Sequence, residues 1–437
     1  MRLPLRPPRR ILPALLAFAA TPALAQNLLV NPGFDRDLGG WTTSVKLSNP
    51  RPPPDLTQAS ADWTANDASG NVASGGLALH AQAAIGTSAT AAATQCVAAS
   101  PGFLATVGAK ILTTRQYMTA SSSAIVSFFL TSDCSGTSLG RASKDSLPFV
   151  VPETDSGGRW LLTTVEALVP SEARSVLAEI SANAYGSMFY GDCEVIAVAD
   201  DAFLTLKPAT TTTWILPSAA WAHGAGGSFW MTTFTLCNPG STDAVVALKW
   251  LGHDADGRGG YVRTYLVRAG QTLVPEYEEW ELGHEEGWGA ILVTSSSSAV
   301  VVQSETQTYV RGGGSVGQVV PALGPADFAS ATPKTLAPIR EIAGFYRTNL
   351  VLANPTEMPL TAHVVLYAAD GTQLGSRDID LPPLGMTQIN RVVSALGASA
   401  LGAGRISVST PTAGGLVATF ASLIDNTTND PRTILPH

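Results

Sequence analysis

The sequence NLLVNPGFD at residues 27–35, followed by GW at 40 and 41, opens the first folded unit of this chain. We interpret it as the first strand of a β-unit. Short apolar alternations continue downstream, for example at 125–130, 175–180 and 203–206. Alternation of this kind is typical of half-buried strands. The pattern therefore predicts a β-unit that extends to about residue 206.

Residues 1–25, directly before this strand, have the form of an export signal. Four arginines precede an apolar run from Ile11 to Ala20, and the small residues at 23–25 suit signal peptidase. We expect the mature protein to begin near Gln26 and to be secreted, either to the extracellular space or to the periplasm. Later in the chain no apolar run approaches the roughly 20 residues of a membrane-spanning helix. The sequence therefore predicts no membrane span.

The charge balance argues against nucleic acid as a partner. The chain has 34 acidic and 26 basic residues and a net charge of −8, whereas phosphate binding needs a basic surface. Only 14% of its residues are charged, and 41 are glycine, a composition typical of exported β-proteins with many turns. A length of 437 residues exceeds what one hydrophobic core usually serves, so we expect two or three domains.

The C-terminal half contains an internal duplication. The segments FWMTT and LCNP, at 229–233 and 236–239, match FYRTN and LANP at 345–349 and 352–355. Further along, GAILV at 289 matches GRISV at 404 with nearly the same offset. Matches at one period indicate two copies of one unit. Short strands separated by turn residues predict about seven strands in each copy, as in an immunoglobulin-like sandwich.

These patterns predict an all-β protein with three units. The N-terminal unit covers residues 26–206, and the two immunoglobulin-like β-sandwich repeats cover 214–322 and 336–437. The stretch KPATTTT at 207–213 and the segment 323–335 are the predicted linkers.

The two ends of the first unit resemble a known family. The opening motif, together with ADDAFL at 199–204, resembles the first and last strands of carbohydrate-binding modules of families four, nine and twenty-two. It also resembles galactose-binding-like jelly rolls more widely. The resemblance covers the whole unit and implies a jelly roll in which these two strands are neighbours. The C-terminal copies resemble uncharacterised tandem β-sandwich repeats of exported bacterial proteins, a likeness that implies no activity.

The same resemblance implies a structural calcium ion as a cofactor. In such modules the first acidic residue and the closing aspartates commonly bind it, and the matching residues here are Asp35, Asp200 and Asp201. Carboxylate oxygens are ligands that calcium prefers. The alternative is that Asp200 and Asp201 cap a strand and face water.

Sugar binding in jelly rolls relies on exposed aromatic faces, with polar groups that orient the ligand. Trp63, in a polar and loop-like stretch, and Tyr185 and Tyr190, around a glycine-containing turn, are the candidate ligand-binding residues. The alternative is that these rings pack in the core. An exposed pair on one face would favour glycan binding, whereas burial would favour a structural role.

Four cysteines allow three complete pairings. Cys96 and Cys134 both lie in the first unit at the ends of predicted strands, and export favours their oxidation. We predict a disulfide between them. Cys193 and Cys237 fall in different units, and no role is assigned to them.

No catalytic set stands out in the sequence. The GxSxG pattern occurs at 136–140 and 313–317, but neither copy precedes the helical segment that a hydrolase elbow requires. The acidic segment 276–286 could supply paired carboxylates for glycoside hydrolysis, yet its counterpart at 388–402 has none. We therefore predict that the protein is not an enzyme.

The leading hypothesis is a secreted, non-catalytic binding protein. Its jelly roll would bind a polysaccharide or a cell-surface glycan, and its C-terminal repeats would act as a spacer that displays the jelly roll. The alternative is a structural or adhesive extracellular protein whose partner is another protein. An exported hydrolase is a third hypothesis.

Overall fold

A computed structural model describes seven segments of the chain, namely residues 26–49, 56–71, 73–148, 153–224, 227–275, 286–309 and 313–437. Nearly all regular structure in these segments is β-strand, which confirms the all-β prediction. The predicted signal peptide at 1–25 and most of the acidic segment, 276–285, lie outside the described residues.

The N-terminal unit is a sandwich of two sheets. Its strands are β1 (Thr42–Ser48), β2 (Gln58–Thr64), β3 (Gly76–Ala83), β4 (Ser88–Ala98), β5 (Phe103–Tyr117), β6 (Ala120–Phe129), β7 (Ser138–Asp145), β8 (Glu153–Thr154), β9 (Leu161–Leu168), β10 (Ser175–Tyr185) and β11 (Cys193–Pro208). One sheet has the order β1-β4-β10-β6-β7. The other has the order β2-β3-β11-β5-β8, with β9 also paired to β5. The two sheets enclose a common core around Phe34, Leu79, Phe128 and Ile180, as expected for a jelly roll.

The opening segment lies beside the closing strand, but it is not a regular strand. Leu28 N donates to Leu204 O at 2.9 Å. The Asn27 side chain donates to Ala202 O at 3.0 Å and accepts from Leu204 N at 3.1 Å. The Asn27 side chain here takes the place of backbone hydrogen bonds between strands. The prediction that the opening segment lies beside the closing strand β11 is confirmed, whereas the prediction that it forms a strand is wrong.

The C-terminal half contains two eight-stranded sandwiches. The first repeat consists of β12 (Thr212–His223), β13 (Phe229–Cys237), β14 (Ala244–Gly252), β15 (Val262–Val267), β16 (Thr272–Leu273), β17 (Gly287–Ser295), β18 (Val301–Tyr309) and β19 (Ser315–Pro321). The second consists of β20 (Lys334–Glu341), β21 (Tyr346–Ala353), β22 (Leu360–Ala368), β23 (Gln373–Leu381), β24 (Met386–Ile389), helix α1 (Val392–Ala395), β25 (Leu401–Ser409), β26 (Ala418–Asp425) and β27 (Pro431–Ile434).

Both repeats share one strand order. Four strands run β12-β17-β14-β15 in the first repeat and β20-β25-β22-β23 in the second. The others run β13-β18-β19, with β16 on β13, and β24-β21-β26-β27. Corresponding strands occupy corresponding places, which agrees with the duplication. In both repeats the first strand pairs with the sixth, and in the first repeat the end of the first strand, at 221–223, also pairs with the second strand. In immunoglobulin domains the first and sixth strands lie in different sheets, so the order differs.

One buried asparagine anchors the same loop in each repeat. Asn238 donates from Nδ2 to Thr242 O at 2.8 Å and to Val267 O at 2.9 Å. Asn354 donates to Met358 O at 2.7 Å and to Pro382 O at 2.9 Å. Neither asparagine has any solvent exposure. A buried amide must satisfy both N–H groups, which explains why the Asn-Pro motif is present in both copies.

The two predicted linkers are packed connections. In 207–213, β11 continues to Pro208 and β12 starts at Thr212, and Ala209 N donates to Gly102 O at 2.9 Å. In 323–335, Leu323 exchanges two backbone hydrogen bonds with Ile215, and Phe328 and Ala329 are buried. Neither connection is a free tether between units.

Strand β14 of the first repeat is buried on both faces. Val246 and Leu248 point into the repeat's own core. On the opposite face, Val245 and Ala247 pack against Leu168 of the N-terminal unit. The sheets of these two units also join edge to edge, because β15 pairs with β7 in parallel. The N-terminal unit is therefore docked on the first repeat through both a sheet face and a sheet edge.

A buried ion pair lies in the same interface. Lys249 follows Val245 and Ala247 on that face of β14, and its ammonium pairs with the carboxylate of Glu172 from the N-terminal unit. Each side chain is only 5% exposed. Lys249 Nζ also donates to Gly260 O at 3.2 Å, and Ser171 Oγ donates to Glu172 Oε2 at 2.9 Å. Both charges are thus paired and hydrogen-bonded, as burial requires.

The two repeats interlock through another shared core and a loop. Ile215 and Leu251 of the first repeat pack with Val351 and Phe420 of the second. Asp254 N donates to the Met386 carbonyl at 2.7 Å. The neighbouring Gly257 has no room for a side chain, because a Cβ there would lie 1.9 Å from the Leu384 carbonyl oxygen. The segment 253–257 therefore serves as a contact between repeats.

We predict that Lys249→Ala strongly destabilises the protein. The substitution leaves the Glu172 carboxylate buried without its counter-charge, which should lower the free energy of unfolding by about 3–5 kcal/mol. Denaturant unfolding of the mature chain measures it. Arg258→Ala, which breaks an exposed pair with Asp256, is the control and should cost less than about 1 kcal/mol. Equal losses for the two variants would contradict the role of the buried pair.

Candidate functional site

Trp63 lies on the inner face of β2, at the open edge of its sheet. It pairs with Leu77, whose side chain is fully buried, and cross-strand partners share a face. The indole remains 41% exposed, but its Nε1 donates to Phe34 O at 2.8 Å. The ring lies so close to Gly75 that a Cβ there would be 2.5 Å from Nε1. Trp63 thus covers one end of the core and fixes the opening segment.

Tyr185 and Tyr190 lie at the opposite end of the sandwich. Tyr185 ends β10 and is 61% exposed, Tyr190 is 44% exposed, and Phe189 between them is 90% exposed. The turn that carries them leads to Cys193, which pairs with Ala83 at the far end of β3. Trp63 is opposite Leu77, six residues away along that strand, or about 20 Å. The structure therefore does not bring Trp63 together with the two tyrosines.

The outward face of the sheet β1-β4-β10-β6-β7 is lined mostly by short polar side chains, but its centre, at Ala92, Ser123, Ile125 and Ser181, is buried. Residues that alternate with the core positions of β4, β10 and β6 share this face. They are Ser88, Thr90, Ala92, Thr94, Leu177, Glu179, Ser181, Asn183, Tyr185, Ser121, Ser123, Ile125 and Ser127. Strand β7 adds Arg141, Ser143 and Asp145. Tyr185 stands at one end of this face, which we call the jelly-roll polar face.

Hydrogen bonds fix several groups on the jelly-roll polar face. Thr90 Oγ1 donates to Asn183 Oδ1 at 3.1 Å, and Asn183 Nδ2 donates to Ser181 Oγ at 3.0 Å. Ser123 Oγ donates to Asp145 Oδ1 at 2.6 Å. The Asn183 amide keeps one N–H and one acceptor site unused by these bonds. Ser181 and Ser123 are buried, so Thr90 and Asn183, which are half-buried, are the groups of this network that reach the surface, and their orientation is set before any ligand arrives.

The sequence did not single out Glu179, Asn183 or Arg141. The alternation along 175–185 was visible, with small apolar residues between polar ones. That pattern gives the period but not which strands lie side by side, and the site exists only through the pairing of β10 with β4 and β6.

Asp35 and Asp200 approach the same small space beside Gly33. A Cβ built on Gly33 would lie 3.0 Å from Asp35 Oδ1 and 3.9 Å from Asp200 Oδ1. Ser74 Oγ lies 3.0 Å from Asp35 Oδ1 and 3.5 Å from Gly33 O. Asp200 is only 2% exposed, and its burial raises the pKa of the carboxyl, with the charge of Asp201 adding to the shift. Three oxygen-bearing groups, from Asp35, Ser74 and Gly33, thus lie near the buried Asp200 carboxyl.

Asp201 points away from this space. Its carboxylate forms an ion pair with Lys110 at 2.7 Å, which raises the pKa of the lysine ammonium. Asp201 also has a positive φ of 49°, and the register between β11 and β5 shifts at this point. The bulge directs successive side chains differently from a regular strand. Among the described residues, no group of three or more acidic, histidine or cysteine side chains converges.

Asp67 organises the loop that covers Asp200. Its Oδ1 accepts N–H bonds from Ser69 and Asn71, both at 2.8 Å, and the Ser69 hydroxyl at 2.6 Å. The Ser69 hydroxyl and the Asn71 N–H lower the pKa of Asp67 from 3.8 to about 2. Within the same loop, Ala68 N donates to Asp200 Oδ2 at 2.9 Å. Asp67 therefore shapes the segment that supplies one of the contacts to Asp200.

Cys96 and Cys134 form the predicted disulfide, with their Cα atoms 5.9 Å apart. Cys193 is a buried free thiol and Cys237 a half-buried one. Burial raises the pKa of the Cys193 thiol, so it remains protonated at neutral pH. The bridge ties the loop between β6 and β7 to β4.

The fold can be compared with known proteins. No family model and no curated protein matches the chain. Of solved structures, the enzymatically active domain of tailspike protein 4 from bacteriophage CBA120 is similar at 15% identity and a TM-score of 0.28. That match covers 41% of this chain and 21% of the tailspike chain, so it spans about a fifth of the tailspike domain's length.

Two carbohydrate-binding structures are also similar. The module TmCBM61, solved with β-1,4-galactotriose, matches at 17% identity and a TM-score of 0.21, over 42% of this chain and all of its own. The tandem CBM22 domain of Paenibacillus barcinonensis Xyn10C matches at 10% identity and a TM-score of 0.24, over 96% of this chain and all of its own. All three TM-scores are low. In the described segments no helix is long and apolar enough to cross a membrane.

We predict that Asp67 contributes stability that disappears in acid. Its folded pKa of about 2 lies below the ordinary 3.8, so the contribution is complete above pH 3.8 and is lost as the pH falls towards 2. Asp67→Asn should lower the melting temperature at pH 7, and the gap from wild type should shrink as the pH approaches 2. Thermal melts between pH 2 and 7 measure this, with Asp62→Asn as the control. A gap independent of pH would contradict it.

Proposed function

We propose that this protein is an exported, non-catalytic glycan-binding protein whose ligand lies across the jelly-roll polar face. The observation that carries the proposal is the set of half-buried polar side chains, Ser88, Thr90, Ser121 and Asn183, beside the exposed ring of Tyr185. A sugar ring offers apolar C–H faces to an aromatic side chain and hydroxyls to polar groups. This face offers both kinds of contact together, as binding sites that orient a ligand generally do.

The pre-set Asn183 amide supports binding of a hydroxyl-rich ligand. Its remaining N–H and acceptor site can engage two hydroxyls, and the carboxylate of Glu179 on the same strand accepts from others. Groups already held in place lose little conformational freedom on binding. A face with a carboxylate, an amide and hydroxyls suits a neutral polysaccharide better than an anionic polymer.

The placement of the serine motifs supports a binding role rather than catalysis. Ser138 begins β7, where its hydroxyl bonds to the Gly140 backbone, and Ser315 begins β19. A hydrolase elbow needs the serine between a strand and a helix, and neither serine has that setting. Export is supported by the form of residues 1–25 and by the disulfide, which forms most readily outside the cytoplasm.

The proposal predicts glycan binding that depends on the jelly-roll polar face. A glycan array probed with the mature chain, residues 26–437, should identify at least one polysaccharide. Tyr185→Ala should weaken that binding by tenfold or more, roughly the effect of losing a central aromatic contact. Asn183→Ala should also weaken it. The whole mature chain is used because the N-terminal unit packs on the first repeat.

Leu162→Ala is the matched control, since Leu162 is 66% exposed on β9 of the other sheet and should leave affinity unchanged. An array with no bound glycan would refute the proposal and favour a protein partner. If neither Tyr185→Ala nor Asn183→Ala weakened glycan binding, the ligand would have to bind somewhere other than the jelly-roll polar face.

The proposed cofactor of this unit is a structural calcium ion. The oxygens of Asp35 and Asp200, with Ser74 Oγ and the Gly33 carbonyl, fit the oxygen ligands that calcium takes. Asp201 does not belong to this set, because its carboxylate is paired with Lys110. A cation there would neutralise the buried charge of Asp200 and tie the opening segment to β11.

We predict that calcium raises the melting temperature of the mature chain relative to the same protein in chelator, since a ligand of the folded state stabilises it. Asp35→Asn and Asp200→Asn should abolish the rise, and Asp201→Asn should preserve it. Differential scanning calorimetry of wild type and the three variants, each in calcium and in chelator, measures the melting temperatures. A melting temperature insensitive to calcium would refute the calcium site without affecting the glycan proposal.

A further inference from the structure

The first repeat carries an aromatic cluster where β12 and β13 meet. Trp221 and Phe229 contact edge to face with ring centroids 5.1 Å apart, and His223 packs on Phe229 at 4.9 Å. Trp221 is opposite Met231, and Met231 is opposite Gln307 on β18. These rings therefore share the outward face of β13 and β18.

A polar row continues from this cluster along the same face. Glu305 and Gln307 alternate with buried residues of β18, and Tyr309 follows them at 70% exposure. Thr233 lies opposite Glu305 on β13. Among the described residues, the side chains of Glu305 and Gln307 form no hydrogen bond or ion pair. Their polar groups are available to a ligand.

A groove opens beside this row where the two repeats meet. It has a volume of about 480 Å³ and is lined by Glu305, Gln307, Ser315, Val319, Thr428 and Asp430, among others. Gly317 lies opposite Gln307, and a Cβ there would lie 2.8 Å from Gln307 Cβ. The absence of a side chain at Gly317 keeps this part of the groove open. Asp430 belongs to the second repeat, so both repeats build the walls.

We infer that this groove is a second saccharide site, independent of the jelly-roll polar face. Its ligand is a neutral oligosaccharide segment. The Gln307 amide and the Glu305 and Asp430 carboxylates hydrogen-bond to hydroxyls, and the exposed ring of Tyr309 contacts an apolar sugar face. The repeats are then part of the binding surface and not only a spacer.

The chemistry of the groove favours a neutral sugar over other partners. Two carboxylates repel anionic polymers, including nucleic acids. A peptide in a groove is generally anchored by apolar side chains in matching pockets, whereas Glu, Gln, Ser, Thr and Asp dominate this lining. Hydroxyl-rich ligands match such a lining because every hydroxyl both donates and accepts.

The test uses the mature chain with its jelly-roll site disabled by Tyr185→Ala and Asn183→Ala. Native affinity electrophoresis is run through gels that contain soluble xylan, galactan, mannan or mixed-linkage glucan. We expect at least one polysaccharide to retard this variant. Adding Tyr309→Ala and Gln307→Ala should abolish the retardation, whereas adding Leu266→Ala, an exposed change on β15, should not. Thermal melts verify that each variant is folded.

The outcomes separate this inference from the proposed function. Retardation of wild type that vanishes in the jelly-roll variant would overturn the second site while leaving the first intact. Residual retardation that survives Tyr309→Ala with Gln307→Ala would also overturn it. Retardation unaffected by the jelly-roll substitutions but lost with the groove substitutions would support the groove and refute the first site.

Discussion

The two-sided burial of strand β14, with a lysine on one of its faces, is the constraint on which the rest of the structure depends. Its inner face completes the core of the first repeat, and its outer face receives the N-terminal unit. Because Lys249 lies on that outer face, the N-terminal unit must bring Glu172 to the same place. A mispositioned unit would bury an unpaired charge, so the ion pair selects one docking geometry as well as closing the interface.

Because the N-terminal unit is docked on the first repeat, the molecule is not a set of separate units joined by flexible linkers. One sheet runs from β1 of the N-terminal unit through β7 and β15 into the first repeat. The second repeat is joined through a separate apolar core and the close approach of Gly257 to Leu384. Sites on different units therefore keep a fixed relation to one another.

Local sequence was informative where a residue's role is local or repeated. The Asn-Pro motif identified both repeats, and the structure shows the reason in Asn238 and Asn354, whose amides fasten equivalent loops. The cysteine pair followed from position within one unit. The roles of Trp63 and Asp201 could not be predicted, because they depend on which face a strand turns inward and on a bulge near Asp200. The position of Lys249 within an apolar run indicates that its charge needs a buried acidic partner. The sequence does not indicate that this partner is Glu172.

The packed connections also bear on avidity. When two sites are joined by a flexible tether, the second binding event is governed by an effective concentration that falls as the tether lengthens. Here β11 passes into β12 after only a short turn, with Ala209 bonded to Gly102, so no tether sets that concentration. A long polysaccharide that reaches both the jelly-roll polar face and the groove would contact two binding sites. The distance between these sites and their relative orientation are fixed. Chain stiffness and repeat length of the polymer, more than its monosaccharide alone, would then decide which polymers are held most tightly.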